Sequence, residues 1–400
     1  MKRLLISILI LFAFVFVFTT KGHAQRETDE KAYINFEDGV GFLAPDSLFG
    51  MNLRFRMQNR IGFTFEEGWD DSEFEATVKR CRLRFDGFIR ETKLTYYLQL
   101  SFSRGDQDWD NSHVPNVIRD AMVYYKFNKN FYMGFGQGKL PGNRQRVTSS
   151  GSQQFTDRSI VNATFNIDRD FGIFAYYNNK IGNTFAWELK GAISTGDGRN
   201  ILKTDNGLAY TGRVEILPLG KFTNKGDYFE GDIEREPSPK LSLAGTYSMN
   251  QKATRNAGTR GTYLYEQRDI ESIFADVMLK YNGWCLAGEY AQRNVNNPIT
   301  IDATGDMVFI QTGSGYNAQL SYMFPNFIEL AGRYSHIDPS SKMNGLNMPI
   351  QDIYSLGFTK YICKHKTKLQ FNVSRIHRKN NVLLEDNKFW NAMVQVEIGI

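Results

Sequence analysis

Cysteine is scarce in this chain. The three present, Cys81, Cys285 and Cys363, are odd in number and widely spaced. That excludes a disulfide framework and matches no metal-ligand spacing. Histidine is nearly as scarce: past residue 24 only His113, His336, His365 and His377 remain, none in a convincing serine-and-acid setting. Hydrolytic chemistry is therefore not expected, and nothing implies a cofactor or a metal. Long apolar runs are missing after the first one, Leu4 to Phe18, so no later stretch approaches the ~20 residues of a spanning helix. A membrane crossing by the rest of the chain would have to use strands closed into a barrel, because lipid leaves no other way to pair every backbone group. An excess of one charge is lacking too. The formal net charge of +5 includes Lys2, Arg3 and Lys21, so the remainder is nearly neutral and bulk charge identifies no partner.

What is present begins with a targeting pattern. Lys2 and Arg3 precede the apolar run, and a short polar stretch ends in Gly22-His23-Ala24 before Gln25. This predicts a secretory signal over 1–24, removed after Ala24. A membrane anchor is the rival reading, but the run is short for one. Residues 25–50 are expected to form a short N-terminal arm, and 51–400 a single domain.

Period-two alternation then runs through the chain. In MNLRFRMQNR, Met51, Leu53, Phe55 and Met57 alternate with Asn52, Arg54, Arg56 and Gln58. In VKRCRLRFDGFI, Cys81, Leu83 and Phe85 alternate with Arg80, Arg82, Arg84 and Asp86. KLTYYLQLSF sets Tyr97 and Gln99 against Tyr96 and Leu98, and AMVYYKF sets Met122 and Tyr124 against Val123 and Tyr125. Such alternation reads as two-faced strands. Sixteen segments can be marked: 53–65, 77–89, 93–103, 116–127, 130–138, 170–178, 184–194, 208–217, 240–249, 271–281, 283–293, 315–323, 326–336, 352–362, 366–377 and 388–399. The number is even, and most lengths are near the ~9–11 residues of a tilted spanning strand.

The gaps are sorted. Long ones follow the first, third and fifth segments; short ones (RETK, FNKN, NKIGN, YNG, FPN, CKHK) alternate with them, and 218–240 is the exception. Long loops at one end and short turns at the other predict an all-β fold: a transmembrane antiparallel β-barrel of about sixteen strands, with long external loops and short periplasmic turns. A secreted sandwich or propeller gives no reason for this sorting.

In a barrel the alternate faces meet lipid and lumen. Arg54, Arg56 and Arg60 then point inward from the first strand, and Arg80, Arg82 and Arg84 from its neighbour. Like charges climb the wall in steps of ~6–7 Å, two strand rises. Such a stack favours anions over cations, and guanidinium forks grip oxyanions. The competing reading is charge balance. Asp86, Asp120, Glu188, Glu215, Asp276 and Glu289 also fall on lumen faces, and Arg213 and Arg333 could be partners for such acids. The long gap KLPGNRQRVTSSGSQQFTDRS adds Lys139, Arg144, Arg146 and Arg158 beside Thr148, Ser149, Ser150 and Ser152. A patternless stretch of that length is commonly functional or disordered. Folded inward, it would narrow the lumen and place Lys139 and these hydroxyls at the constriction.

The order of these motifs resembles the phosphate-selective porin O and P family. The runs are an arginine-rich second strand (KRCRLRFDGFI), Asp120-Ala121, Gly136-Gln137-Gly138-Lys139-Leu140-Pro141, and Thr148-Ser149-Ser150 followed by Phe155, Asp157, Arg158 and Ser159. GWCLAGEY and NFIELAGRYSHIDP are similar to the family's paired C-terminal strands. The likeness is most specific over residues 77–160. It implies a sixteen-stranded porin in the outer membrane of a Gram-negative bacterium, usually trimeric, passing small anions such as phosphate or polyphosphate along an arginine ladder to a basic constriction. Arg54, Arg56, Arg60, Arg80, Arg82 and Arg84 would form the ladder, with Lys139 near the constriction. The terminal Ile400, where many barrels end in an aromatic residue, is a departure.

The alternatives are a general, non-selective small-solute porin and a closed structural or binding barrel. A gated importer would need a large plug, for which 25–50 is too short. Nucleic acid is not an expected partner, because the basic residues lie on alternating strand faces without a solvent-facing stacking patch.

Overall fold

The computed structural model describes residues 33–400, apart from 37–38, 46–47, 68–71, 107–115, 183, 202–203, 205–206, 347 and 381–384. The expected signal segment and His113 lie outside the described residues.

The chain starts with a small hairpin, β1 (Tyr33–Asn35) and β2 (Val40–Leu43), and continues into β3 (Phe49–Glu66), β4 (Ser72–Ile89), β5 (Glu91–Ser101), β6 (Ile118–Lys126), β7 (Phe131–Lys139), β8 (Arg169–Ile181), β9 (Phe185–Ser194), β10 (Ala209–Leu217), β11 (Lys240–Arg255), β12 (Tyr263–Tyr281) and β13 (Trp284–Asn294). A separate two-stranded ribbon follows, β14 (Ile299–Ile301) and β15 (Met307–Phe309), and then β16 (Gly313–Met323), β17 (Ile328–Pro339), β18 (Ile350–Cys363), β19 (Thr367–Asn380) and β20 (Glu385–Gly399).

β3 to β13 and β16 to β20 are the sixteen staves of a closed antiparallel barrel, one for each segment marked in the sequence. β20 returns to β3 in register from Phe389 opposite Glu66 to Gly399 opposite Arg56. Where β20 ends, β2 takes over the same edge, with Val40 opposite Leu53 and Leu43 opposite Gly50. Part of the expected N-terminal arm is thus built into the wall.

The period-two pattern sets the faces. Outward positions carry Leu330, Leu356, Phe358 and Ile362, and Leu356 and Ile362 are 73% and 70% exposed. Apolar side chains presented outward on closed staves form the surface lipid takes. At one end the connections are tight. Between β12 and β13, Asn282 (φ 46°) and Gly283 (φ 92°) make a two-residue turn with both residues left-handed, the turn that matches strand twist. At the other end most are longer, the longest being 140–168, but β3 and β4 extend so far that only 67–71 separate them, where the sequence suggested a long loop. The exception, 218–239, leaves β10 at the short-turn end.

The inward face is not uniformly polar. Phe174, Phe274, Met122 and Ile337 are buried in one cluster with Leu140, Val161, Phe165 and Ile167. The last four belong to the long connection 140–168, which folds into the barrel. Each such side chain contributes about 1.5–3 kcal/mol on burial, so this half of the lumen holds a genuine core.

Candidate functional site

Two segments fill one side of the lumen. The connection 140–168 enters from the long-loop end. It carries two short helices, α1 (Arg144–Val147) and α2 (Ile160–Phe165), the second capped by the Ser159 side chain accepting from Asn162 N at 3.2 Å. It is pinned across the barrel: Thr156 Oγ1 donates to Asn372 at 2.6 Å, Thr359 Oγ1 donates to the Gln154 carbonyl at 3.0 Å, and Lys368 Nζ donates to the Gly151 and Gln153 carbonyls at 2.9 and 2.7 Å. The second segment, 218–239, turns inward from the short-turn end. Lys280 Nζ donates to the carbonyls of Gly226 and Phe229 at 2.8 Å each, and to that of Gly231. The two meet at Glu230. Its N–H donates to the Ser152 carbonyl at 2.8 Å, and its carboxylate accepts from Gln154 N at 3.0 Å and Gln145 Nε2 at 3.2 Å.

Many inward side chains of β10 to β13 and β16 to β19 are buried under these segments. The remaining space is an eccentric cavity of about 1070 Å³. It lies against the inward faces of β3 to β9 and reaches Lys364–Lys366 and Ile400 at the short-turn end. Its lining holds sixteen lysines and arginines against seven carboxylates, so the cavity is basic although the chain as a whole is nearly neutral.

The arginine wall stands as the alternation placed it. Arg54 faces Arg84 across the β3–β4 pair, Arg56 faces Arg82, and Gln58 faces Arg80. A bulge at Lys79 shifts the register beyond that point, so Arg60 pairs with Thr77. Like charges directly opposite repel, and four carboxylates offset this. Asp86 lies 2.8 Å from Arg84 and 3.6 Å from Arg54; Asp106 lies 2.5 Å from Arg82 and 3.1 Å from Arg119. Glu397 lies 3.8 Å from Arg56, and Asp157 lies 2.5 Å from Arg60. Arg80 donates to Gln58 Oε1 at 2.7 Å and has no carboxylate within ion-pair distance among the described residues.

The hydroxyl cluster docks on this wall. Arg56 donates to Ser149 Oγ at 3.1 Å and Ser150 Oγ at 2.8 Å, and Arg82 donates to Ser150 Oγ at 3.1 Å. The loop approaches so closely that a Cβ at Gly151 would stand 2.2 Å from Arg56 Nη1, so a larger residue there would push this guanidinium aside. Lys139 reaches the Val147 and Thr148 carbonyls at 3.2 and 3.3 Å, and Arg158 reaches the Thr148 carbonyl at 2.9 Å. Both line the cavity with Arg146, which pairs with Asp168. Burial, with Arg146 and Arg80 nearby, pushes the Arg158 pKa well below its ordinary value. Such a cation favours an anion beside it. Asp157 is held below the usual carboxylate range: burial opposes this, but Arg60 and Lys79 outweigh it.

The structure thus brings Arg54, Arg56, Arg80, Arg82, Arg84, Lys139, Arg146 and Arg158 to one cavity. Arg60 and Arg144 do not line it. Arg60 is buried beside Gln395 and Asp157. Arg144, on α1 of the inserted connection, is buried against the opposite wall, 3.2 Å from Asp276 and 3.5 Å from Glu215. Of the acids that could have neutralised the ladder, Glu215 and Asp276 pair instead with Arg213, both at 2.6 Å. Glu289 accepts from Gln145 N at 2.5 Å and Asn143 Nδ2 at 3.1 Å behind the loop. Arg333 donates to the Asp157 carbonyl at 2.9 Å and lies over the Phe155 ring. Sequence reasoning missed Arg119, Arg169, Lys190 and the contribution of the 218–239 segment. The exceptional length of that gap was its only signal.

A sequence model of the phosphate-selective porin O and P family matches residues 51–395. An uncharacterized protein of Aquifex aeolicus (strain VF5) is 25% identical over 367 residues, covering 82% of this chain and 83% of that one. Among solved structures, the anion-selective porin from Comamonas acidovorans is similar with a TM-score of 0.55 at 13% identity, over 88% of this chain and 99% of that one. The outer membrane channel DcaP of Acinetobacter baumannii gives 0.54 at 13% identity, over 90% and 99%. At these identities the structural likeness concerns the fold.

Proposed function

The chain belongs to the phosphate-selective porin O and P family, a family of outer-membrane porins, and we propose that it conducts small anions, phosphate among them, along the basic wall of its lumen. The observation that carries this reading is the asymmetry of the lumen. The two inserted segments cover the wall whose acids and arginines neutralise one another, and they leave open the wall where cations outnumber carboxylates. A solute anion moving there meets Arg54, Arg56, Arg80, Arg82 and Arg84, then the Ser149–Ser150 hydroxyls with Lys139, Arg146 and Arg158. In such a stack each site binds well enough to admit an anion and is shared with the next closely enough to release it. Arg60 and Arg144 act by holding the loop. The name of the Comamonas acidovorans neighbour, an anion-selective porin, is in keeping with this reading.

The proposal extends to the mature form. Cleavage after Ala24 delivers a chain whose arm and barrel assemble as a homotrimer among the lipids of a Gram-negative outer membrane, with the long connections outside and the 218–239 segment on the periplasmic side. A second reading, a porin without selectivity, draws on Asp86, Asp106 and Glu397, which sit within 4 Å of ladder arginines. Phosphate titrated into a chloride current through purified protein in a planar bilayer separates the two. Block by phosphate that weakens in Arg82→Ala supports the anion path; a current indifferent to phosphate in both proteins supports the second reading.

A further inference from the structure

The basic cavity has a second kind of wall. Tyr97, Tyr124, Tyr132 and Tyr176, inward-facing on β5, β6, β7 and β8, all line it, and Tyr228 of the 218–239 segment joins them. Three of the rings, Tyr124, Tyr132 and Tyr176, are in mutual contact. Tyr132 and Tyr176 stand directly opposite in register and stack at 4.5 Å with 8° between planes. Tyr124 lies 6.2 Å from Tyr132 and 6.3 Å from Tyr176. The surface is bracketed by cations: Arg84 lies 4.6 Å over the Tyr97 ring at one side, and Lys190 lies 4.8 Å over the Tyr228 ring at the other.

These tyrosines are not a lipid girdle. Their outward neighbours Tyr96, Tyr125 and Tyr177 occupy that position, one residue away on the opposite face. Nor are they fixed by polar contacts, because the hydroxyls of Tyr97, Tyr124, Tyr132 and Tyr176 have no hydrogen-bond partner among the described residues. Flat faces and free phenols beside an arginine wall suit a solute that is an anion at one end and a ring at the other. Bare phosphate uses only the arginines and leaves the aromatic surface idle. We infer that the preferred solute is a phosphomonoester on a six-membered ring, its phosphate against the arginines and its ring laid along the tyrosines. The inference rests on the anion-path reading and adds a ring-binding face to it.

The test is the half-blocking concentration of orthophosphate, glucose 6-phosphate and phenyl phosphate on the chloride current through the intact barrel, with glucose as the uncharged control. At least one ring phosphate is expected to block at about tenfold lower concentration than orthophosphate, the scale of one good stacking contact. Tyr176→Leu should remove most of that advantage and leave orthophosphate block unchanged. Tyr132→Leu is read alongside it, so that a single misfolded variant does not decide the matter. Block by both ring phosphates at the same concentration as orthophosphate overturns the inference while leaving the anion path standing. So do leucine variants that shift orthophosphate as far as the ring phosphates. Absence of block by any phosphate removes the anion path itself, and the inference with it.

Discussion

Glu397→Gln separates the acids that matter to the lumen from those that do not. Glu397 lines the cavity 3.8 Å from Arg56 Nε and 3.6 Å from Lys368 Nζ, and accepts from Gln58 Nε2 at 2.8 Å. Glutamine keeps its shape and removes one negative charge. An anion seated on Arg56 would lie roughly 7 Å from that charge. There the repulsion is ~0.6 kcal/mol in bulk water and ~2.4 kcal/mol at an effective dielectric of 20. Salt near 0.1 M, with a Debye length of ~10 Å, trims the smaller figure further. Glu397 is itself buried at the cavity wall, so the value lies between these limits, and phosphate should block Glu397→Gln at about three- to tenfold lower concentration than wild type. The reversal potential in a chloride gradient should move toward the anion limit. Glu289→Gln is the paired control: it also removes an inward-facing carboxylate, but one sealed behind the loop at Gln145 and Asn143. It should leave both readings where they were. Equal effects from the two variants, or weaker block in Glu397→Gln, would refute the assignment of open and covered walls.

Arg144→Ala would leave Glu215, Asp227 and Asp276 short of a buried cation at a cost of ~3–5 kcal/mol. A lower temperature of heat-modified gel mobility and a larger single-channel conductance are expected, because the loop loses its anchor to the far wall. His365, in the turn between β18 and β19, has its pKa pushed well below 6.5 by burial and by the nearby Lys368 and Lys280. Its neutral ring packs against Phe229 at 5.2 Å. That contact's stability is full above pH 6.5 and is lost as pH falls, because protonation favours the released turn. Acidification from the short-turn side should therefore raise channel noise in wild type but not in His365→Phe. Cys363 is exposed in the same turn region and Cys285 is buried, so an impermeant maleimide should label one cysteine per chain from that side and leave Cys285 unreacted.

The staves were legible because alternation is enforced twice in a barrel, by lipid on one face and by the lumen on the other. Each segment from 53–65 to 388–399 therefore maps onto one strand. The arginine faces of β3 and β4 followed from the same rule, up to the bulge at Lys79 that no local pattern announces. Partner choice was not legible. Whether Asp276 meets the ladder or Arg213 depends on where the 140–168 connection lies, and that is settled by contacts across more than a hundred residues, such as Arg144 with Asp276. The inward fold of 218–239 was hidden for the same reason: Glu230 and Lys280 make sense only once the two segments meet. Tyr97 and Tyr124 fell on the inward face of the pattern, but their joining with Tyr132 and Tyr176 needed the β7–β8 register.

If anions follow the basic wall, the cavity lining, and not the whole lumen, sets the charge a solute sees. The most direct measurement is the reversal potential of the purified protein in a planar bilayer under a potassium chloride gradient. A potential of the sign set by chloride, moving further that way in Glu397→Gln, is expected. A potential at zero, or of the sign set by potassium, would contradict the anion path.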